Sequence, residues 1–233
     1  MSPSYIITGT RKGLGKQLAE YYLTQGFKVS GCSRGKSTSD HENYRHYELD
    51  VADEKAVVSM VRQVKKEFGM VHVLLNNAGI AAMNHILTTT HQNAHNVFNT
   101  NFFGTFLFSR EVAKVMMKQK TGSIVNYTTV AVPLNLEGEA VYSASKAAIE
   151  SFTRISAKEL GRFGIRVNAI GPTPVKTDLI NNVPELKLNE LLEQQTVKRF
   201  GEFDDIVNVI DFFNSEKSNF ITGQILYLGG VTQ

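Results

Sequence analysis

Hydrophobic and polar positions along this chain fall into two recurring patterns. Short apolar runs occur at Tyr5-Ile-Ile-Thr8, Phe27 to Cys32, His46 to Leu49, Val71 to Leu75, Gly122 to Thr129, Ile165 to Ile170 and Gln224 to Leu228. Runs of that length read as strands buried on both faces. Between them apolar residues recur at helical spacing: Leu18, Ala19, Tyr22 and Leu23; then Ala56, Val57, Met60, Val61, Val64 and Phe68; then Val97, Phe102, Phe108 and Val112 in a long helix expected from His91 to Lys118. Further helices are predicted from the region of Tyr142 to Arg162 and from Phe203 to Phe213. Strands alternating with helices imply right-handed crossovers. The expected fold class is therefore α/β, a doubly wound parallel sheet with helices on both faces and a ligand site beyond the carboxyl ends of the strands. Residues 35 to 45 read as a polar surface loop, Val130 to Gly138 as irregular, and 178 to 198 as a mobile flap over a substrate.

Composition narrows the classes of function. A chain of 233 residues, 42% hydrophobic, is sized for one domain spanning 1–233. The net charge of +3 is spread over both signs without a basic run, which argues against a nucleic-acid partner. A single cysteine, Cys32, excludes an intrachain disulfide, and no Cys/His group has metal-ligand spacing, so no metal is expected. The N-terminus shows neither the charged region nor the long apolar stretch of a signal or anchor, which gives the expectation of a cytoplasmic protein with no membrane association.

The chemistry-bearing residues cluster at the predicted carboxyl edge. Gly9, Gly13 and Gly15 follow the first strand and open the first helix, so the backbone can turn sharply and offer free amides to a pyrophosphate. At the end of the second strand, where a dinucleotide fold meets the adenosine ribose, stand Ser33 and Arg34 instead of an acid. Arg34, helped by Lys12, suits a 2′-phosphate, which points to NADP over NAD. Asn77, Ala78 and Gly79 end the fourth strand with small and polar residues that let a cofactor lie close. Tyr142 and Lys146 sit one helical turn apart on one face, preceded by the strand-end hydroxyl of Thr129. Asn101 is the polar exception on the apolar stripe of the long helix.

Taken together, Thr8-Gly9-x-x-x-Gly13-x-Gly15, Asn76-Asn77-Ala78-Gly79, Tyr142-x-x-x-Lys146 and the segment carrying Asn168, Pro172 and Thr177 resemble the short-chain dehydrogenase/reductase family over nearly the whole chain. The resemblance implies a Rossmann-like domain. Its cofactor would lie against Gly9, Arg11, Lys12, Gly13, Leu14, Gly15, Ser33, Arg34, Asp50, Val51, Asn77, Ala78, Gly79, Tyr142, Lys146, Pro172, Val175 and Thr177. It also implies a catalytic set of Asn101, Thr129, Tyr142 and Lys146, with Thr129 standing where the family has a serine. Tyr142 would act as the proton donor, with Lys146 and the oxidised nicotinamide lowering its pKa, Lys146 also holding the nicotinamide ribose, and Asn101 would organise a water relay. The implied activity is NADP(H)-dependent reduction of a small-molecule carbonyl to a secondary alcohol by a homo-oligomer, tetramer or dimer. Two alternatives accompany it: a catalytically weak NADP-binding regulatory or scaffold protein, suggested by Thr129, and a reductase of 3-oxoacyl groups on an acyl carrier protein. For the second, Lys118, Lys120, Arg162 and Arg166 are expected to form a basic docking patch near the entrance.

Overall fold

The computed structural model describes residues 2–37, 39–81, 83–175 and 185–232. Seven strands, β1 (Ser4–Thr8), β2 (Lys28–Ser33), β3 (Tyr44–Glu48), β4 (Val73–Asn76), β5 (Gly122–Tyr127), β6 (Ile165–Gly171) and β7 (Ile225–Tyr227), form one sheet in the order β3-β2-β1-β4-β5-β6-β7. All six pairings are parallel. The crossovers carry α1 (Gly13–Thr24), α2 (Glu54–Phe68), α3 (His91–Phe98), α4 (Gly104–Gln119), a single turn α5 (Ala131–Leu134), α6 (Ala140–Gly161), α7 (Glu185–Gln194) and α8 (Phe203–Asn214). The order reverses between β1 and β4, which opens a crevice at the carboxyl edge.

Strand alternation feeds two cores. Ile6 and Leu74 point to one face with Met60, Phe108 and Met116 of α2 and α4. Tyr5, Ile7, Val73 and Leu75 point to the other, with Leu18 and Tyr22 of α1 and Ile206, Ile210 and Phe213 of α8. This period-2 division is why the strands read as unbroken apolar runs. Tyr5, Tyr22 and Phe27 stack within the second core, and Asp211 accepts from both Tyr21 and Tyr22 hydroxyls at 2.9 and 2.8 Å, tying α8 to α1.

Several boundaries differ from the reading of the sequence. β3 starts at Tyr44, inside the expected loop: its polar neighbours Asn43 and Arg45 hid a strand residue that is buried and paired with Val29. β5 stops at Tyr127, leaving Thr128 and Thr129 beyond it, and the irregular stretch after them contains the turn α5. The long helix runs unbroken from His91 to Gln119, but its winding changes midway. Asn99–Phe103 form one wide π-helical turn between α3 and α4, a local widening that often marks a functional site. It turns the buried Asn101 inward, where its amide accepts from Ile80 N at 2.8 Å and donates to Ile80 O at 3.0 Å and to Ser145 Oγ at 3.1 Å.

Candidate active site

One cavity of about 910 Å³ runs along the carboxyl edge, at the upper end of the range for ligand sites. Its walls include Gly9, Arg11, Lys12, Gly13, Leu14, Gly15, Ser33, Arg34, Asp50, Val51, Asn77, Ala78, Gly79, Thr129, Tyr142, Lys146, Pro172 and Val175. Two residues of the expected set are not among them. Thr177 lies outside the described residues. Asn101 is fully buried behind the wall, its side chain spent on Ile80 and Ser145, so it positions the segment after Gly79 and does not face the cavity.

The residues present fit a dinucleotide. Gly13 has φ +58°, and a methyl group there would meet no protein atom within 4 Å, so its backbone opens onto free space. At Gly15 the same methyl would stand 2.3 Å from Gly9 O, because the start of α1 packs directly on the turn. Helices α2 and α3 begin with side-chain caps from Asp53 and Thr90. α1 begins at Lys12 with no side-chain cap and no acid in its first turn, which leaves its positive end for an anion. The Thr8 hydroxyl accepts from Ala78 N at 2.9 Å and Asn77 Nδ2 donates to Thr8 O at 2.9 Å, clamping the two turns into one floor.

At the other end, Lys146 is buried and donates from Nζ to Tyr127 O at 2.9 Å, with Nζ 6.0 Å from the centre of the Tyr142 ring. The Tyr142 hydroxyl hydrogen-bonds the Thr129 side chain. Burial pushes the tyrosine up to about 12, reinforced by the Glu139 carboxylate and opposed by the Thr129 hydrogen bond. Burial likewise brings Lys146 down to about 8. Thr128 also lines the cavity, but its hydroxyl is committed to α6, donating to Glu150 Oε1 at 2.6 Å.

Sequence reasoning passed over two acids. Glu139 lies three residues before Tyr142 and so shares its helical face, a signal that was available; it lines the cavity, and burial raises its pKa against the pull of Lys187. Glu150 is buried and also accepts from the Tyr227 hydroxyl at 2.5 Å, a partner 77 residues away that no local pattern announces. Asn168, read with the post-catalytic segment, instead holds the chain before β7, donating to Ile221 O and accepting from Gln224 N. The basic patch is misplaced as well. Lys118, Lys120, Arg162 and Arg166 flank the starts of β5 and β6, at the edge opposite the cavity.

Comparison with known proteins follows this geometry. The family described as enoyl-(acyl carrier protein) reductase matches residues 9–232. A 3-oxoacyl-[acyl-carrier-protein] reductase of Staphylococcus epidermidis is 32% identical, over 99% of this chain and 98% of its own. Among solved structures, ElxO with NADP bound superposes with TM-score 0.90 at 30% identity, covering 99% and 98% of the two chains. A 4-hydroxyisoleucine dehydrogenase complexed with NADH does so with TM-score 0.87 at 28% identity, covering 99% of each.

Proposed function

This chain belongs to the short-chain dehydrogenase/reductase family, oxidoreductases of CH–OH and C=O groups, and from that premise we propose that it reduces a small-molecule carbonyl with NADPH. The observation that carries the reading is the meeting of Thr129, Tyr142 and Lys146 at one end of a cavity whose other end is the glycine turn. Gly9 to Gly15 and the start of α1 would hold the pyrophosphate, Arg34 the adenosine side and Lys146 the nicotinamide ribose. When bound, the nicotinamide supplies the hydride that the carbonyl carbon accepts. Tyr142, held protonated by burial, gives its proton to the carbonyl oxygen. Thr129 donates a hydrogen bond to that oxygen as charge develops on it. Lys146, charged below about pH 8, supports the tyrosine through the shared wall. Asn101 keeps the Ile80 segment and Ser145 of α6 in register.

A panel of ketones, aldehydes and 3-oxoacyl thioesters, followed by loss of NADPH absorbance with NADH as control, tests the proposal; no oxidation of NADPH by any of them sinks it. Known relatives bind NADP in one case and NADH in another, so the cofactor choice rests on Arg34. A charge-assisted hydrogen bond to a 2′-phosphate is worth about 1.5–3 kcal/mol, which corresponds to roughly tenfold or more in affinity. Titration calorimetry should show that preference in the native protein and its loss in Arg34→Ala. Equal affinities for NADPH and NADH in the native protein would refute it.

The 32% identity to a carrier-protein reductase favours a second reading, a 3-oxoacyl chain on an acidic carrier. Against it, three acids, Glu137, Glu139 and Glu190, line the cavity together with Lys187. A free substrate is therefore proposed, and carrier-bound and free 3-oxoacyl thioesters should react at similar rates whatever the salt. A rate advantage for the carrier form that disappears with added salt would select the second reading. We also place the enzyme in the cytoplasm as a homo-oligomer. Phe103 and Ile155 are exposed beside the aromatic contacts of Phe102, Phe106 and Phe152 on the faces of α4 and α6, an apolar surface suited to a second copy. No described helix is long and apolar enough to cross a membrane.

A further inference from the structure

We propose that a hydrogen-bond chain running from the buried Thr10 and Tyr44 to the half-buried His46 and Gly35 sets the cofactor's 2′-phosphate selectivity by fixing the two turns between which the adenosine end lies. The proposal deepens the NADPH reading and rests on it. The Thr10 hydroxyl, one residue past Gly9, lies 2.8 Å from the Tyr44 hydroxyl. The Tyr44 hydroxyl is 3.0 Å from His46 Nδ1, and His46 Nε2 is 2.9 Å from Gly35 O and 3.1 Å from Ser33 Oγ. Ser33 Oγ itself donates to Gly35 O at 2.7 Å.

A single proton arrangement satisfies all of these contacts at once. A carbonyl only accepts, so His46 carries its proton on Nε2 and directs it at Gly35 O. Nδ1 then accepts from Tyr44 O–H, and the Tyr44 oxygen accepts from Thr10 O–H. Burial raises the pKa of Tyr44, in keeping with a phenol that stays protonated. Every member of the chain is satisfied, the condition under which a buried polar chain makes its surroundings rigid.

A second observation shows that the sheet makes room for it. A methyl group on Gly31 of β2 would stand 2.3 Å from both Thr10 Oγ1 and the Tyr44 hydroxyl, so glycine there keeps the first link of the chain open. The links join three consecutive parts of the carboxyl edge: the turn after β1, the strand β3, and the turn Ser33-Arg34-Gly35 after β2. The Arg11 guanidinium lies over Gly35, 3.1 Å from where a methyl group would sit, so both cations of this corner, Arg11 and Arg34, depend on where Gly35 is held. None of Thr10, Tyr44 and His46 lies on the cavity wall. They are positioning residues.

NADPH and NADH dissociation constants are measured for the native protein, Tyr44→Phe, His46→Ala and His46→Gln, with thermal unfolding in parallel. Tyr44→Phe keeps the ring and leaves Thr10 and His46 Nδ1 without their shared partner. It should weaken NADPH about tenfold, the usual scale for an unsatisfied buried pair, and change NADH by less than about twofold. His46→Ala should do the same, and His46→Gln, whose amide nitrogen can still donate to Gly35 O, should recover part of the selectivity. Loss of both cofactors in parallel, or retained selectivity in Tyr44→Phe and His46→Ala, overturns the chain while leaving NADPH preference in place. Absence of any preference in the native protein overturns the NADPH reading and the chain with it. If one variant fails to fold, the other and the glutamine substitution decide.

Discussion

Tyr142→Phe is expected to lower the rate of carbonyl reduction by about 10³-fold while NADPH affinity stays nearly intact, because the lost atom is the proton donor and a general acid contributes on the order of 10²–10⁴. The ring keeps its packing between Thr129 and Lys146, so binding is spared. Burial holds the tyrosine protonated up to about pH 12, the form needed to donate. Lys146 is the group that titrates sooner. Lowered to about 8, it is charged below that pH and neutral above it, so reduction should slow as pH rises through about 8. Lys146→Ala should abolish that limb of the profile and also weaken NADPH, since the same ammonium is assigned the ribose. Stopped assays across pH 6 to 10 with saturating cofactor test both statements. A Tyr142→Phe enzyme that keeps most of the native rate places the chemistry elsewhere.

Thr129→Ala should cost about 10²- to 10³-fold in kcat, the range found when one preorganised donor is taken from a water-poor site. Thr129→Ser should remain active, because the hydroxyl is retained and only the β-methyl is lost. The neighbouring hydroxyl of Thr128 serves as the control. Thr128 donates to the buried Glu150, so Thr128→Ala should lose stability, about 1 to 3 kcal/mol for the acceptor left short of a partner, with a far smaller effect on kcat. Chemical denaturation and steady-state kinetics on the three variants separate the two hydroxyls. Loss of turnover in Thr128→Ala with Thr129→Ala unaffected would reverse the assignment. Inertness of the native protein on a broad panel, relieved by Thr129→Ser, would show instead that the β-methyl keeps a competent tyrosine and lysine from the carbonyl, which is the regulatory-protein alternative.

Much of this site was open to reading before any coordinates, because its signals are local. The glycine turn, the strand-end Asn77-Ala78-Gly79, Arg34 after Ser33, and the Tyr142 and Lys146 spacing each depend on residues a few positions apart, and the alternation of apolar periods dictates that all of them reach one edge of a parallel sheet. What the local pattern could not carry was any property set by partners distant in sequence. The partners of Asn101, Ile80 and Ser145, lie 21 and 44 residues away and are brought to it at the π-helical turn. The burial of the pair was equally hidden, since a lysine one turn away is visible in the sequence and desolvation is not, and burial moves the two pKa values apart. The basic residues at 118, 120, 162 and 166 fall at the far edge, since each stands before or at the start of a strand instead of after its end. Sequence alone thus determined the fold, the order of the motifs and the edge they occupy, all consequences of periodicity and chain direction. Only the packed structure decided which hydroxyl faces Tyr142, which charges are buried, and that Thr10, Tyr44 and His46 meet across Gly31, because those outcomes depend on distances between strands that the order of residues does not contain.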